Sequence, residues 1–186
     1  MFIFQVLLSI NNGKVARSTA EAFAVFYEQY MPKVFRYIRF RITEKDLAED
    51  LTSVVFEKAL TKFTTYTPEK ATFSTWIFRI ARNTLIDHFR ASSRGSTVQL
   101  DEAIEHANDD ESPEETAIAS EEQRMLRQCI SRLSPGEREI ISLKFGADMT
   151  NRQIAGTLGI SDSNVGVILF RAVRKLRSDF AGWRNE

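Results

Sequence analysis

An all-α fold of two small lobes is what this sequence predicts, on three observations. Apolar residues recur at three- and four-residue steps along most of the chain, while the β-branched alternation of strands is largely absent. Ser and Thr caps, prolines and glycines punctuate those runs where helices start and stop. Between Gly95 and Gln123 lie ten carboxylates and no Lys or Arg, preceded by 14 basic against 9 acidic residues and followed by 11 against 6. The neutral total of 25 against 25 therefore conceals two basic lobes around an acidic connector, a pattern that suggests two nucleic-acid-facing modules.

The first lobe, residues 19–94, reads as helices throughout. Phe23, Phe26, Tyr27, Tyr30, Val34 and Ile38 predict a helix from about Thr19 to Arg41, with a kink or break at Pro32, which lacks an amide donor. Thr43 starts a second helix with Leu47, Leu51, Val54, Val55, Ala59 and Leu60 on its apolar side. Pro68 and a run of threonines mark 64–71 as a loop. A third helix, about Thr72–Arg90, carries Phe73, Trp76, Ile77, Ile80, Leu85, Ile86 and Phe89 on one side and Arg79, Arg82, Asn83 and Arg90 on the other. The spacing of Trp76 to Phe73, Ile77 and Ile80 assigns it to the core rather than to a base-stacking platform.

Residues 95–116 form the connector, polar, acidic and interrupted by Pro113, and are expected to be a flexible linker. The second lobe, 117–182, begins with a helix spanning Glu114–Leu133 that carries Ile118, Met125, Leu126 and Ile130. Ser134, Pro135 and Glu137 then make a capped helix start; Ile140, Ile141, Leu143 and Phe145 build the buried face and Gly146 ends it. Thr150 with Gln153 caps the next helix, whose face is Ile154, Ala155 and Leu158, and Gly159 breaks it at a sharp turn. Ser161 caps the last helix, Ser161–Arg177, in which Val165, Ile168, Leu169, Val173 and Leu176 recur at helical spacing. Small Ala155 lets the two helices approach, with Val165 and Ile168 packed against it. Together 150–177 spell a helix-turn-helix whose flank of Arg171, Arg174, Lys175 and Arg177 suits DNA phosphates; a plain helical hairpin is the bland alternative.

Other classes are bounded by what the chain contains. One cysteine, Cys129, excludes an internal disulfide framework, and with His88 and His106 far apart no zinc site assembles from Cys and His. The residues 1–18 are an N-terminal extension; Met1–Ile10 is apolar but lacks the basic start and cleavage pattern of a signal peptide and is too short to span a membrane. It is a frayed extension, an unnatural start site or a strip that packs on a partner. Asp46, Glu49, Asp50, Glu57 and Asp87 admit a helical metal-dependent hydrolase, but no nucleophile–base pair or phosphate-cradling glycine loop accompanies them. The expectation is no enzyme, no cofactor and no metal. An ordinary helix-turn-helix regulator is the other alternative.

Three segments in this order, DLAEDLTSVVFEKAL (46–60), FSTWIFRIARNTLIDHFR (73–90) and LSPGEREIISLKFGADMTNRQIAGTLGISDSNVGVILFRAVRKLR (133–177), resemble the extracytoplasmic-function sigma factors, two-domain initiation factors of bacterial transcription. The resemblance makes the first lobe region two and the second region four. It implies core RNA polymerase as a partner, through the β′ coiled coil and the β flap, with Asp46, Leu47, Asp50, Leu51, Val55 and Phe56 in the polymerase-binding helix. Read without the family, the carboxylates Asp46, Glu49 and Asp50 also suit a helix start. It further implies contact with the minus-ten element through Tyr66, Lys70, Thr72, Phe73, Arg79, Arg82, Asn83 and Arg90, Asn83 being the best placed to pair with a captured base. The minus-thirty-five element would meet Arg152, Ser161, Ser163, Asn164, Val167, Arg171, Arg174 and Lys175. Here the chain departs from the family habit, because Gly166, Val167 and Ile168 stand where polar readers are common. Readout then falls to thymine-methyl contacts from Val167, phosphate anchors and DNA shape. The acidic connector either mimics nucleic acid in the polymerase channel or serves as a solvated spacer. An anti-sigma factor is the remaining implied partner, with the protein in the cytoplasm and such a factor able to hold it at the membrane.

Overall fold

The computed structural model describes residues 15–42, 44–93 and 121–183, and these are helical with no strand among them. In chain order they form α1 (Val15–Arg39), α2 (Lys45–Lys62) with a short 3-10 turn (Phe63–Thr65), α3 (Phe73–Ser93), α4 (Glu121–Ser131), α5 (Pro135–Ile141) with a π-type turn (Ser142–Gly146), α6 (Asn151–Leu158) and α7 (Asp162–Trp183). The helix start expected at Thr43, the linker 95–116, residues 1–14 of the extension and the first turns of the helix expected from Glu114 lie outside the described residues. No helix among the described residues is long and apolar enough to cross a membrane.

The first lobe packs α1, α2 and α3 around Phe23, Val34, Ile38, Val55, Phe56, Ala59, Ile77, Phe78 and Leu85, all buried. Each large apolar side chain withdrawn from water contributes roughly 1.5–3 kcal/mol. Helix α1 runs unbroken through Pro32, contrary to the expected break. Pro32 and Glu28, whose carbonyl loses its usual donor, are both exposed, so water can take up the orphaned acceptor.

Two capping boxes shape the second lobe. At α5 the Ser134 amide donates to the Glu137 carboxylate at 3.0 Å while the Glu137 amide donates to Ser134 Oγ at 3.4 Å. At α6 the Thr150 amide donates to Gln153 Oε1 at 2.9 Å and the Gln153 amide to Thr150 Oγ1 at 3.3 Å. Gly159 takes φ 72°, the left-handed conformation that turns the chain into α7. Val165 then buries against α6.

One expectation fails after α5. Phe145 is 55% exposed, because a π-type turn, with the Ala147 amide donating to the Ser142 carbonyl at 3.0 Å, rotates it off the apolar face that Leu143 and Ala147 occupy. Gly146 does end the helical run, as expected, and it does so without the positive φ that Gly159 adopts.

The two lobes also touch one another: α1 lies against the π-type turn, α3 lies against α6, and one apolar core runs from Tyr37 and Phe78 to Ile140, Leu143, Met149 and Ile154. Polar bonds follow the seam: Tyr37 donates to Glu139 Oε1 at 2.7 Å, Arg41 pairs with the same carboxylate, and Arg36 Nε donates to the Gly146 carbonyl at 3.1 Å. At its exposed end Lys33 Nζ stands 3.4 Å from Asp148, a non-glycine residue at φ 56°. No charge count along the chain announces that contact.

Candidate nucleic-acid interface

The last helix presents a continuous open face. Ser161 Oγ accepts from the Asn164 amide at 3.2 Å and fixes the start of α7. From there Ser163, Val167, Phe170, Arg171, Arg174 and Arg177 stand exposed at three- and four-residue steps, opposite the buried Val165 and Ala172. Val167 is 47% and Phe170 68% exposed, an apolar pair set between a hydroxyl end and an arginine end. A groove-sized helix with apolar side chains at its middle and guanidinium groups along its flank can touch thymine methyls and phosphates together. Sequence reasoning overlooked Phe170; its three-residue step from Val167 on the face opposite the core was the available signal. Arg152, Ser161 and Asn164 are exposed at the turn and helix start.

Lys175 has a different neighbour. Its ammonium sits 2.7 Å from the Glu137 carboxylate, tying α7 to α5. Burial pushes the Glu137 carboxyl upward, but hydrogen bonds from Lys175 and Ser134 outweigh that and hold it below its usual value. Lys175 is therefore placed for the lobe's own packing.

On the first lobe the residues expected at the minus-ten element divide. Lys70, Thr72, Arg79, Asn83 and Arg90 are exposed on the loop and on α3. Phe73, expected to face bases, is buried: its ring stacks on Phe26 with centroids 4.0 Å apart and meets Tyr30 at 5.0 Å. Tyr66 and Trp76 are half-buried against the same cluster, 5.2 Å from one another, and the Tyr66 hydroxyl donates to the Ala71 carbonyl at 3.2 Å. Burial raises the Tyr66 hydroxyl above its usual pKa. Together these rings brace the loop from beneath. Arg82 is half-buried, and its Nε finds no partner among the described residues. Arg79, though exposed, donates to the Gly156 carbonyl and so is engaged by helix α6 of the second lobe.

The surface expected for polymerase also needs correction. Leu51, Val55 and Phe56 are buried in the first lobe, because α2 turns its apolar stripe inward. Outward stand Asp46, Glu49, Asp50, Ser53, Val54 and Glu57, with Leu47 half-buried. Its exposed face thus sets four carboxylates around Val54, with Lys45 and Lys62 exposed at its two ends. Among the described residues no group of three or more His, Cys, Asp or Glu is gathered to hold a metal ion.

The comparisons with known proteins follow this division. The Sigma-70 region 2 family matches residues 26–95, and the family Sigma-70, region 4 matches residues 123–176. The extracytoplasmic-function sigma factor BldN of Streptomyces coelicolor is 34% identical over 157 residues, or 84% of this chain and 60% of that protein. SigM of Bacillus subtilis, of the same class, is 29% identical over 154 residues, covering 82% of this chain and 91% of that one. The chain thus spans 60% of the length of BldN. In fold it is similar to the sigma factor RpoE of Bartonella quintana, solved in complex with the anti-sigma factor NepR: TM-score 0.69 at 18% identity, over 87% of this chain and 98% of that one.

Proposed function

The chain belongs to the extracytoplasmic-function RNA polymerase sigma factors, and we propose that it directs promoter-specific initiation by core RNA polymerase, under the control of an anti-sigma factor. The observation that carries this is the pairing of a region 2 helical unit with a region 4 helix-turn-helix whose groove-facing side is open.

In this reading the acidic outer face of α2, with Asp46, Glu49, Asp50 and Glu57 around Val54, meets a basic, apolar helical surface of polymerase; rim charges steer the encounter and set the register. Helix α7 enters the major groove upstream. Val167 and Phe170 reach thymine methyls there while Arg171 and Arg174 hold phosphates. Downstream, Lys70, Thr72, Arg79, Asn83 and Arg90 receive the minus-ten strand, with the Asn83 amide pairing with a base edge. The protein acts by positioning DNA and polymerase and performs no bond chemistry of its own. Its place is the cytoplasm, where polymerase and promoter are found.

Run-off transcription with purified bacterial core polymerase on a promoter-containing genomic library tests this. Discrete transcripts that share two upstream elements are expected only when the protein is present. A protein that adds no start sites with a cognate core, yet shifts duplex DNA unaided, is an ordinary helix-turn-helix regulator.

A further inference from the structure

Between the lobes, Tyr37, Arg41 and Glu139 meet in a built contact that promoter binding does not require. The Arg41 side chain is 3% and the Glu139 side chain 12% exposed, and Tyr37 is fully buried beside them. Arg41 belongs to the first lobe and Glu139 to the second, so the pair exists only while the lobes are together. Burial works against the Arg41 charge, and Glu139 and Tyr37 together more than offset it.

Gly146 is fitted to the same contact. Its φ is not positive, so its backbone does not call for glycine. The three nearest atoms that a Cβ there would meet all belong to the first lobe: Phe40 Cδ2 at 3.0 Å, Tyr37 Cα at 3.1 Å and Tyr37 N at 3.2 Å. Glycine at 146 serves the approach of α1. Elsewhere between the lobes the exposed Arg79 donates to the Gly156 carbonyl of α6.

We propose that the chain carries its own reversible clasp: the Arg41–Glu139 pair, seated by Tyr37 and by the clearance at Gly146, holds the helix-turn-helix lobe over α3 and keeps Arg79 from promoter DNA until the lobes part. The last clause rests on the promoter-binding reading of α3. A buried ion pair suits such a device. Its attraction is largely offset by desolvation, so both charges return to water at small net cost, whereas removing one partner strands the other in a dry seam. Arg41 Nε, with no partner among the described residues, gains one from water on opening. Polymerase or DNA that binds the open form alone draws the equilibrium with it.

Small-angle scattering of the full chain, run beside run-off transcription at varied core polymerase, tests the clasp with R41E, E139R, R41E/E139R and G146L. Far-UV circular dichroism checks that each variant is folded. R41E, E139R and G146L are each expected to enlarge the radius of gyration. They should also lower the core concentration needed for half-maximal transcript, by about a hundredfold or more for R41E and E139R, the size expected when a buried pair is broken. The reversed pair R41E/E139R should restore both. G146L alters no charge and decides the matter if the charge variants fail to fold. An unchanged radius in folded R41E and G146L overturns the clasp, and so does a reversed pair that stays open. A radius that responds as expected, in a protein that yields no transcripts with any core, leaves the clasp between lobes standing and overturns the sigma reading instead.

Discussion

Helices α3 and α7 carry the candidate DNA contacts and present them in opposite ways. On α7 the reading face is bare, with Val167 and Phe170 in solvent and Arg171 and Arg174 beside them. On α3 the aromatic residue at the helix start is sealed into a ring cluster, and the first arginine is engaged by the other lobe. Duplex DNA presents its groove ready-made, so a rigid exposed helix suffices to meet it. A single strand must be captured after unstacking, and its surface can stay covered until then. Phenylalanine accordingly has two settings here, buried in the core at 73 and exposed on the proposed reading face at 170.

Phe73→Ala and Phe170→Ala break that comparison most sharply. The first should lower the stability of the chain by about 3–5 kcal/mol in a denaturant titration, the usual cost of emptying a buried ring site. The second should stay within about 0.5 kcal/mol while weakening upstream duplex binding. Equal stability losses would put both rings in the core. Next in size, Arg171→Ala and Arg174→Ala should each weaken duplex binding across sequences and reduce the slope of log affinity against log salt by about one. Asn83→Ala should leave that slope alone. A subtler change, thymine to uracil in the upstream element, should cost the natural chain several-fold in affinity, of order 1 kcal/mol. It should cost the Val167→Ala/Phe170→Ala double variant nothing.

The smallest effect belongs to Glu137. Its carboxyl is held below the usual value by Lys175 and Ser134, so its contribution is fully present above the ordinary glutamate pKa of about 4.3. That contribution is lost as pH falls through the lower folded value. Because Lys175 is half in water, the gain is at most about 1 kcal/mol. Thermal melts from pH 6 down to pH 3 should show Glu137→Gln converging on the parent chain at the acid end.

Much of the fold was legible because local rules agree. Ser134 with Glu137, Thr150 with Gln153, and Gly159 announce their helix boundaries by type and spacing, and the structure forms those caps. At Pro32 a kink or a break was expected and the helix is not broken, because the cost of a missing donor depends on which side of the helix faces water, which composition does not encode. At 145 the three- and four-residue count assumes a regular helix, and a π-type turn breaks it. Exposure on α2 was read in part: Asp46 and Asp50 stand outside, but an apolar stripe reads the same whether it seeks a partner or its own core, and Leu51, Val55 and Phe56 went inward. The seam was not legible at all. Arg41 and Glu139 look like surface charges when taken singly, and their meeting depends on the packing of two lobes.

The 98-residue separation between Arg41 and Glu139 also has a meaning in time. At a synthesis rate of roughly 5–20 residues per second, Arg41 is made on the order of 5–20 s before its closing carboxylate exists. During that interval the proposed clasp has only one of its two charges, so it can close only after the second lobe has been made.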